Sequence, residues 1–370
     1  RTTLALTSFV SGEFSPKMDG RTDFEKYSSG AKTLENFLVH PQGAATRRVG
    51  TQFIAEVKSS AAKTRLIPFE FSTTQTYILE FGNTYIRFFK DKGQILSGGS
   101  AYEISSPYLT AELFDIKFAQ SADVMYITHP NHEVMKLSRT GHTSWTLAQV
   151  DFTDGPYLAT NTTTTTLTPA QAATGSNINI TASAVTGING GAGFQTTDVG
   201  RIISFNGGKA KITARTNTTV VVCTITTAFT NTNATAGFNL GAFSDTTGHP
   251  SCVSFFEQRL VFAGTKDEPQ TLFFSKAGDY ENMTTGTNAD DAMVYTIASN
   301  QVNAIRYMKA VRTLVVGTTG GEFTVSADGT DASITPTNIT IKRQSSFGSA
   351  NVDAIPAGNA ILFLQKAKRK

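Results

Sequence analysis

The sequence predicts a mainly β protein: propeller-like hairpin repeats, a short N-terminal helical platform and an inserted small β-domain. Three observations carry that expectation. Short runs rich in Val, Ile, Phe, Tyr and Thr recur between Gly, Asn and Asp turns. One stretch near the N-terminus has helical spacing, and a Thr/Asn-rich block interrupts the repeats.

The repeats come first, because a fixed period decides the architecture. "YILEFGNTYIRFFKDKG" reads as strand, tight turn and strand, and "VMYITHPNHEVMKLSRTG", "LVFAGTKDEPQTLFFSKAG" and "LVVGTTGGEFTVSADG" repeat the plan. Each copy closes on a glycine (Gly93, Gly141, Gly278, Gly329), the residue expected where the chain turns with positive φ. The copies start near Tyr77, Val124, Leu260 and Leu314, about 47, about 136 and about 54 residues apart, against about 40–50 for a propeller blade. The long gap exceeds one blade by about 90 residues, which predicts an insertion.

Composition locates the insertion at 159–247, where "TNTTTTTLTPAQAATGS" opens a block of Thr, Asn, Ala and Gly with few charges. Within it "GRIISFNGGKAKITARTNTTVVVCTITTAF" supplies short strands joined by a Gly-Gly turn. Asn161 and Asn217 stand in Asn-x-Thr sequences and read as strand and turn composition rather than glycan acceptors. The flanks, 61–158 and 248–370, hold the blades. "AILFLQKAKRK" has the pattern of the first strand of a fifth hairpin, so the chain is expected to continue beyond the given residues.

Residues 1–60 form the expected platform. "TDFEKYSSGAKTLENFLVH" spaces Phe24, Tyr27, Ala31, Leu34 and Leu38 on one helical face. Thr22 and Glu25 have capping-box spacing, and Pro41 is expected to end the helix. A corner from Pro41 to Gly43 and the adjacent Arg47 and Arg48 follow, a combination that suits a protein interface.

Charge and motif content narrow the function classes. The net charge is +3 with 16% charged residues, and no long basic run precedes the terminal "KAKRK", which argues against a tight nucleic-acid grip. No apolar run approaches the roughly 20 residues that span a bilayer, and no secretory leader opens the chain, although it starts without methionine. Cys223 and Cys252 read as small buried hydrophobes.

His129, His132 and Glu133 could ligate a metal from a helix, but Pro130 and Asn131 mark a hairpin turn, so surface turn histidines are expected. The adjacent Asp290 and Asp291 would point apart, while Asp19, Asp23 and Glu25 suit a helix start, leaving no pair of acids for hydrolysis. No nucleophile elbow, phosphate loop or dinucleotide fingerprint stands in a strand-to-helix context. The plentiful Phe and Tyr alternate within strands and read as sheet core. These readings predict no enzyme, no metal and no cofactor.

Two blocks resemble a known family. "SGEFSPKMDGRTDFEKYSSGAKTLENFLVHPQGAATRRVGTQFI" is similar to the N-terminal signature of the tail nozzle (tail tubular protein B-like) group of short-tailed bacteriophages. The carrying features are Gly20-Arg21-x-Asp23 and Pro41-Gln42-Gly43 followed by Arg47-Arg48-x-Gly50-Thr51. "LGAFSDTTGHPSCVSFFEQRLVFAGTKDEPQTLFFSKAGDYENM" resembles the same group's mid-chain segment, although the group often has tryptophan near Phe238.

The resemblance implies a structural virion protein, assembled in the host cytoplasm, with a β-propeller in each subunit of a hexameric ring. It implies a portal adaptor ring above, tail fibres or spikes alongside, a host cell surface beneath, and double-stranded DNA passing through the lumen without tight binding. The alternative is a receptor- or glycan-binding tail adhesin whose Thr/Asn-rich insertion makes the contact; a propeller hydrolase is the third reading.

Overall fold

The computed structural model describes residues 5–298, 303–329, 332–358 and 360–366. The chain is mainly β, with no α-helix among the described residues. It divides into two units, Arg1–Ala55 and Glu56–Lys370.

The N-terminal unit corrects one expectation. Instead of a helix over 22–40 it has a short 3₁₀ segment, Glu25–Ser29, and short strands: β1 (Gly12–Glu13), β2 (Gly30–Ala31), β3 (Phe37–Val39) and β4 (Ala45–Arg47). β1 pairs with β2 in parallel and β3 with β4 antiparallel. None of Phe24, Tyr27, Ala31, Leu34 and Leu38 is buried, so a helix would have no partner for its apolar stripe, and short helices without packing are marginal. Ser28, Ser29 and Gly30 lower the propensity at its centre. Gly30 has a different use: a Cβ there would fall 2.2 Å from the Phe14 ring, which stacks on Tyr27 at 5.6 Å.

The second unit carries four antiparallel sheets built on one plan, besides the sheet of the insertion. The first combines β5 (Arg65–Glu70), β6 (Thr76–Gly82) and β7 (Tyr85–Lys90); β8 (Gly93–Gln94) folds back on β7, β9 (Leu96–Ser97) pairs with β10 (Ser100–Ala101), and β11 (Glu103–Ser105) completes the sheet on β7. The second runs β12 (Lys117–Ser121), β13 (Val124–His129), β14 (His132–Gly141) and β15 (Ser144–Gln149) in order. After the insertion the third runs β22 (Cys252–Phe256), β23 (Arg259–Ala263), β24 (Thr271–Phe274) and β25 (Met293–Thr296), and the fourth β26 (Ile305–Ala310), β27 (Leu314–Thr318), β28 (Gly321–Ser326) and β29 (Thr340–Ser345). A last hairpin joins β30 (Ile355–Ala357) to β31 (Ala360–Leu362).

All four expected hairpins are present as β6–β7, β13–β14, β23–β24 and β27–β28, but as the middle pair of a sheet rather than its start. The run expected to open a fifth hairpin is likewise the second strand of β30–β31; its last four positions, 367–370, lie outside the described residues.

The sheets pack face to face in chain order. Alternate side chains of one strand serve two cores: Met125 and Ile127 of β13 join the core with the first sheet, while Tyr126 joins the core with the third. Val261 and Ala263 of β23 face the fourth sheet, and Leu260 and Phe262 the second. Burial on both faces explains why these strands are continuous apolar runs. The first strands of successive sheets, β12, β22 and β26, lie side by side.

The insertion is a separate six-stranded sheet of β16 (Leu167–Pro169), β17 (Gly175–Ala182), β18 (Ile202–Phe205), β19 (Gly208–Arg215), β20 (Val220–Thr227) and β21 (Asn239–Leu240), in spatial order β16-β17-β20-β19-β18-β21. It has its own core, including Phe194, Phe205, Phe229 and the buried Phe238. Both cysteines of the chain are buried and free.

Candidate functional site

The strongest candidate is the N-terminal unit, because it buries almost none of its own side chains. Of its described residues only Gly43 is buried. Phe37, Leu38, Val49 and Phe53 are exposed, Val49 at 84% and Phe53 at 81%, as are Leu6, Val10, Phe24 and Ile54. Local polar contacts are present: Arg21 grips Asp23 through two bonds of 2.8 and 2.7 Å, and Lys32 pairs with Asp19 at 3.0 Å. All four side chains are largely solvated, where such pairs add little.

The Pro41–Gly43 corner is the turn of the β3–β4 hairpin. Its peptide N–H at Gly43 donates to the His40 carbonyl, and the Gly43 carbonyl accepts from Phe9 at 2.8 Å. Gly43 has φ +103°, and a Cβ there would meet Ser8 Oγ at 2.9 Å, so both conformation and space require glycine. The arginines separate. Arg48 is engaged, with Nε donating to Asn36 Oδ1 at 2.6 Å and its backbone N–H to the Asn36 carbonyl. Arg47 ends β4 opposite Phe37, exposed, and its guanidinium has no partner among the described residues. The apolar Phe37–Leu38 edge and the Arg47 charge therefore occupy one hairpin.

Of the four turn glycines, Gly278 (φ +75°) and Gly329 (φ +107°) adopt the expected conformation. Gly93 and Gly141 do not: they lie in β8 and β14, and near Gly93 the positive φ falls on Asp91 and Lys92 instead. Lysine is an uncommon residue there, so composition pointed to the wrong position.

A second polar centre lies where the first strands meet. Lys117 of β12 is buried and its ammonium donates to the Arg306 carbonyl of β26 and to Asn351 Oδ1 at 3.3 Å; Asp353 lies at 3.6 Å and Cys252 Sγ at 3.6 Å. Asn351 in turn donates to Asp115 at 3.2 Å. One cation thus ties the second sheet, the fourth sheet and the segment after it. A cleft of about 680 Å³ opens beside it, lined by Asp115, His249, Ile305 and Arg306 among others.

The histidines correct a further expectation. His129 is not at a surface; it is buried, and His132 is half-buried. Glu112, from the connection between the first two sheets, accepts from His132 Nε2 at 2.8 Å. Glu133 is not part of the group, because neighbours on a strand point to opposite faces. Burial pushes the pKa of His129 below the ordinary histidine value, and the nearby His132 acts in the same direction.

Asp290 and Asp291 share Lys276, at 3.0 and 3.6 Å, and Asp291 caps the Asn288 amide, which gives both acids a structural role. Sequence reasoning missed Lys117 and Glu112. Lys117 meets its partners Arg306, Asn351 and Asp353 only across the fold, and Glu112 stands too far from its histidine partners in sequence to form a pattern.

No protein-family model matches the chain, and no curated protein matches its sequence. Among the described residues no helix is long and apolar enough to cross a membrane.

Proposed function

We propose that the chain is a structural subunit of a short phage tail, a tail nozzle component that assembles into a ring through its N-terminal unit. The observation that carries this is the lack of a core among the described residues 5–55 combined with its exposed Phe37, Leu38, Val49 and Phe53. Large apolar side chains held in water mark a surface that another protein covers. Arg47 adds a positive group at the rim, where a charge sets orientation rather than strength.

The sheet architecture supports the same reading. Four meander sheets stacked face to face, with first strands adjacent in the last three, suit propeller blades around an axis. Such a scaffold is rigid. A net charge of +3 without a long basic run suits a conduit, because every neutralised phosphate would strengthen binding and slow the passage of DNA. The ring is hexameric in this reading, docks on the portal adaptor and carries fibres or spikes, in the virion.

A second reading, a receptor- or glycan-binding adhesin, is favoured by one observation: the insertion has an independent six-stranded sheet and core. Electron microscopy of the protein alone and with the adaptor ring separates the two. Rings with a hole of duplex width support the nozzle. Single chains or compact trimers, even with the adaptor present, remove it and leave the adhesin.

A further inference from the structure

We propose that Glu112, His129 and His132 form a binding site for a divalent transition-metal ion of the zinc class. One ligand atom from each lies within 4.8 Å of the others. Glu112 Oε2 and His132 Nε2 are 2.8 Å apart in a hydrogen bond, and parting by about half an ångström would place both at about 2.0–2.1 Å from one tetrahedral ion. The set of two imidazoles and one carboxylate is a zinc-type set, with a fourth position left for water. Imidazole nitrogen also favours zinc, cobalt, nickel or copper over magnesium and calcium, which prefer oxygen.

The second observation is what a simple Glu–His pair does not explain. His129 is only 1% exposed, and its Nε2 has no hydrogen-bond partner among the described residues. Beside it the Tyr108 hydroxyl is also buried and without a partner, while the Tyr108 ring packs against His132 at 5.2 Å and His129 at 5.9 Å. Buried polar atoms are ordinarily bonded, so an imidazole N–H that finds no acceptor, beside a second imidazole and a carboxylate, marks a position where an ion can take the proton's place.

The proton balance is specific. The Asn131 N–H donates to His129 Nδ1 at 3.1 Å, so in the metal-free form the ring proton is on Nε2. A metal on Nε2 sends that proton to Nδ1, and the Asn131 amide must turn away. His132 makes the same change of tautomer as its Nε2 leaves Glu112 for the ion. Both histidines flank the Pro130–Asn131 turn, and Glu112 comes from the inter-sheet connection. The ion would staple that connection to the tip of the β13–β14 hairpin.

The test uses the intact protein, stripped with a chelator and titrated with Zn²⁺ by calorimetry and with Co²⁺ by visible absorption. One equivalent is expected to bind, with the intense cobalt bands of a tetrahedral site and a rise in melting temperature. Glu112→Gln and His132→Gln should each weaken binding about tenfold or more, while His40→Gln and His142→Gln, whose imidazoles bond Thr46 and Tyr77, should not. Circular dichroism confirms that each variant is folded, and X-ray absorption on the zinc-loaded protein counts two imidazoles at the ion. No binding to the stripped protein overturns the site. So does binding that Glu112→Gln and His132→Gln leave intact, or that His40→Gln or His142→Gln abolishes.

Discussion

Replacing Arg259 with methionine tests how a buried guanidinium holds the third sheet. Arg259 starts β23 and is 1% exposed. Its Nη1 donates to the carbonyls of Ser275 at 2.8 Å, Asp291 at 2.7 Å and Asp290 at 3.2 Å, and its Nη2 to that of Ala289 at 2.6 Å. One side chain therefore anchors the loop between β24 and β25. Methionine keeps most of the volume, so the change removes donors without opening a large cavity. Hydrogen bonds from a charged donor contribute about 1.5–3 kcal/mol each. The exposed carbonyls at 289 and 290 can regain water, which brings the expected cost down to roughly 3–5 kcal/mol. At about 2–4 °C per kcal/mol for a unit of this size, the melting temperature should fall by roughly 6–20 °C. Differential scanning calorimetry reads the shift. Arg259→Lys should recover less than half of it, because an ammonium cannot fork to the same carbonyls. A methionine variant that melts within about 1 °C of the parent would refute the anchoring role.

Other expectations follow the same reasoning. Gly43→Ala places a Cβ against Ser8 at a φ that alanine resists, at a cost of about 1–2 kcal/mol, and limited proteolysis should cut faster within residues 5–55. For Asp154, burial raises the carboxyl pKa, but bonds from Lys209, Tyr157 and Thr284 outweigh it and hold the value below the ordinary range. A depressed folded pKa adds stability above the unfolded value of about 4 that is lost as pH falls through the folded one. Asp154→Asn should therefore lower the urea midpoint at neutral pH, and the gap from the parent should narrow as pH falls below the unfolded value; a gap that stays constant into strong acid would contradict the pairing.

Two middle strands were legible because they are buried on both faces: "VMYITH" in β13 and "RLVFA" in β23 leave no polar alternation to blur the signal. Outer strands were not. β29 reads Thr-Ile-Lys-Arg-Gln-Ser and β15 Ser-Trp-Thr-Leu-Ala-Gln, polar enough to pass for connection, so each sheet was seen as its central hairpin. The insertion was visible in composition because Thr and Asn replace charge across it. The helix over 22–40 failed for a tertiary reason. Its periodicity was present, but periodicity yields a helix only where a partner surface buries the stripe, and nothing within the N-terminal unit does so. Glycine marked two turns correctly, while Asp91 and Lys92 took the strained conformation that Gly93 was expected to adopt. Contacts between side chains remote in sequence, such as Lys117 with Asp353 or Glu112 with His132, leave no trace in a single chain.

The assembly role of the N-terminal unit is tested most directly by mass photometry of the intact protein beside a variant with Phe37, Leu38, Val49 and Phe53 changed to serine. These side chains support no core of their own, so the variant's melting temperature should match the parent's. The parent should populate closed rings and the variant single chains. Equal populations of single chains in both, or of rings in both, would contradict the assignment of this surface to assembly.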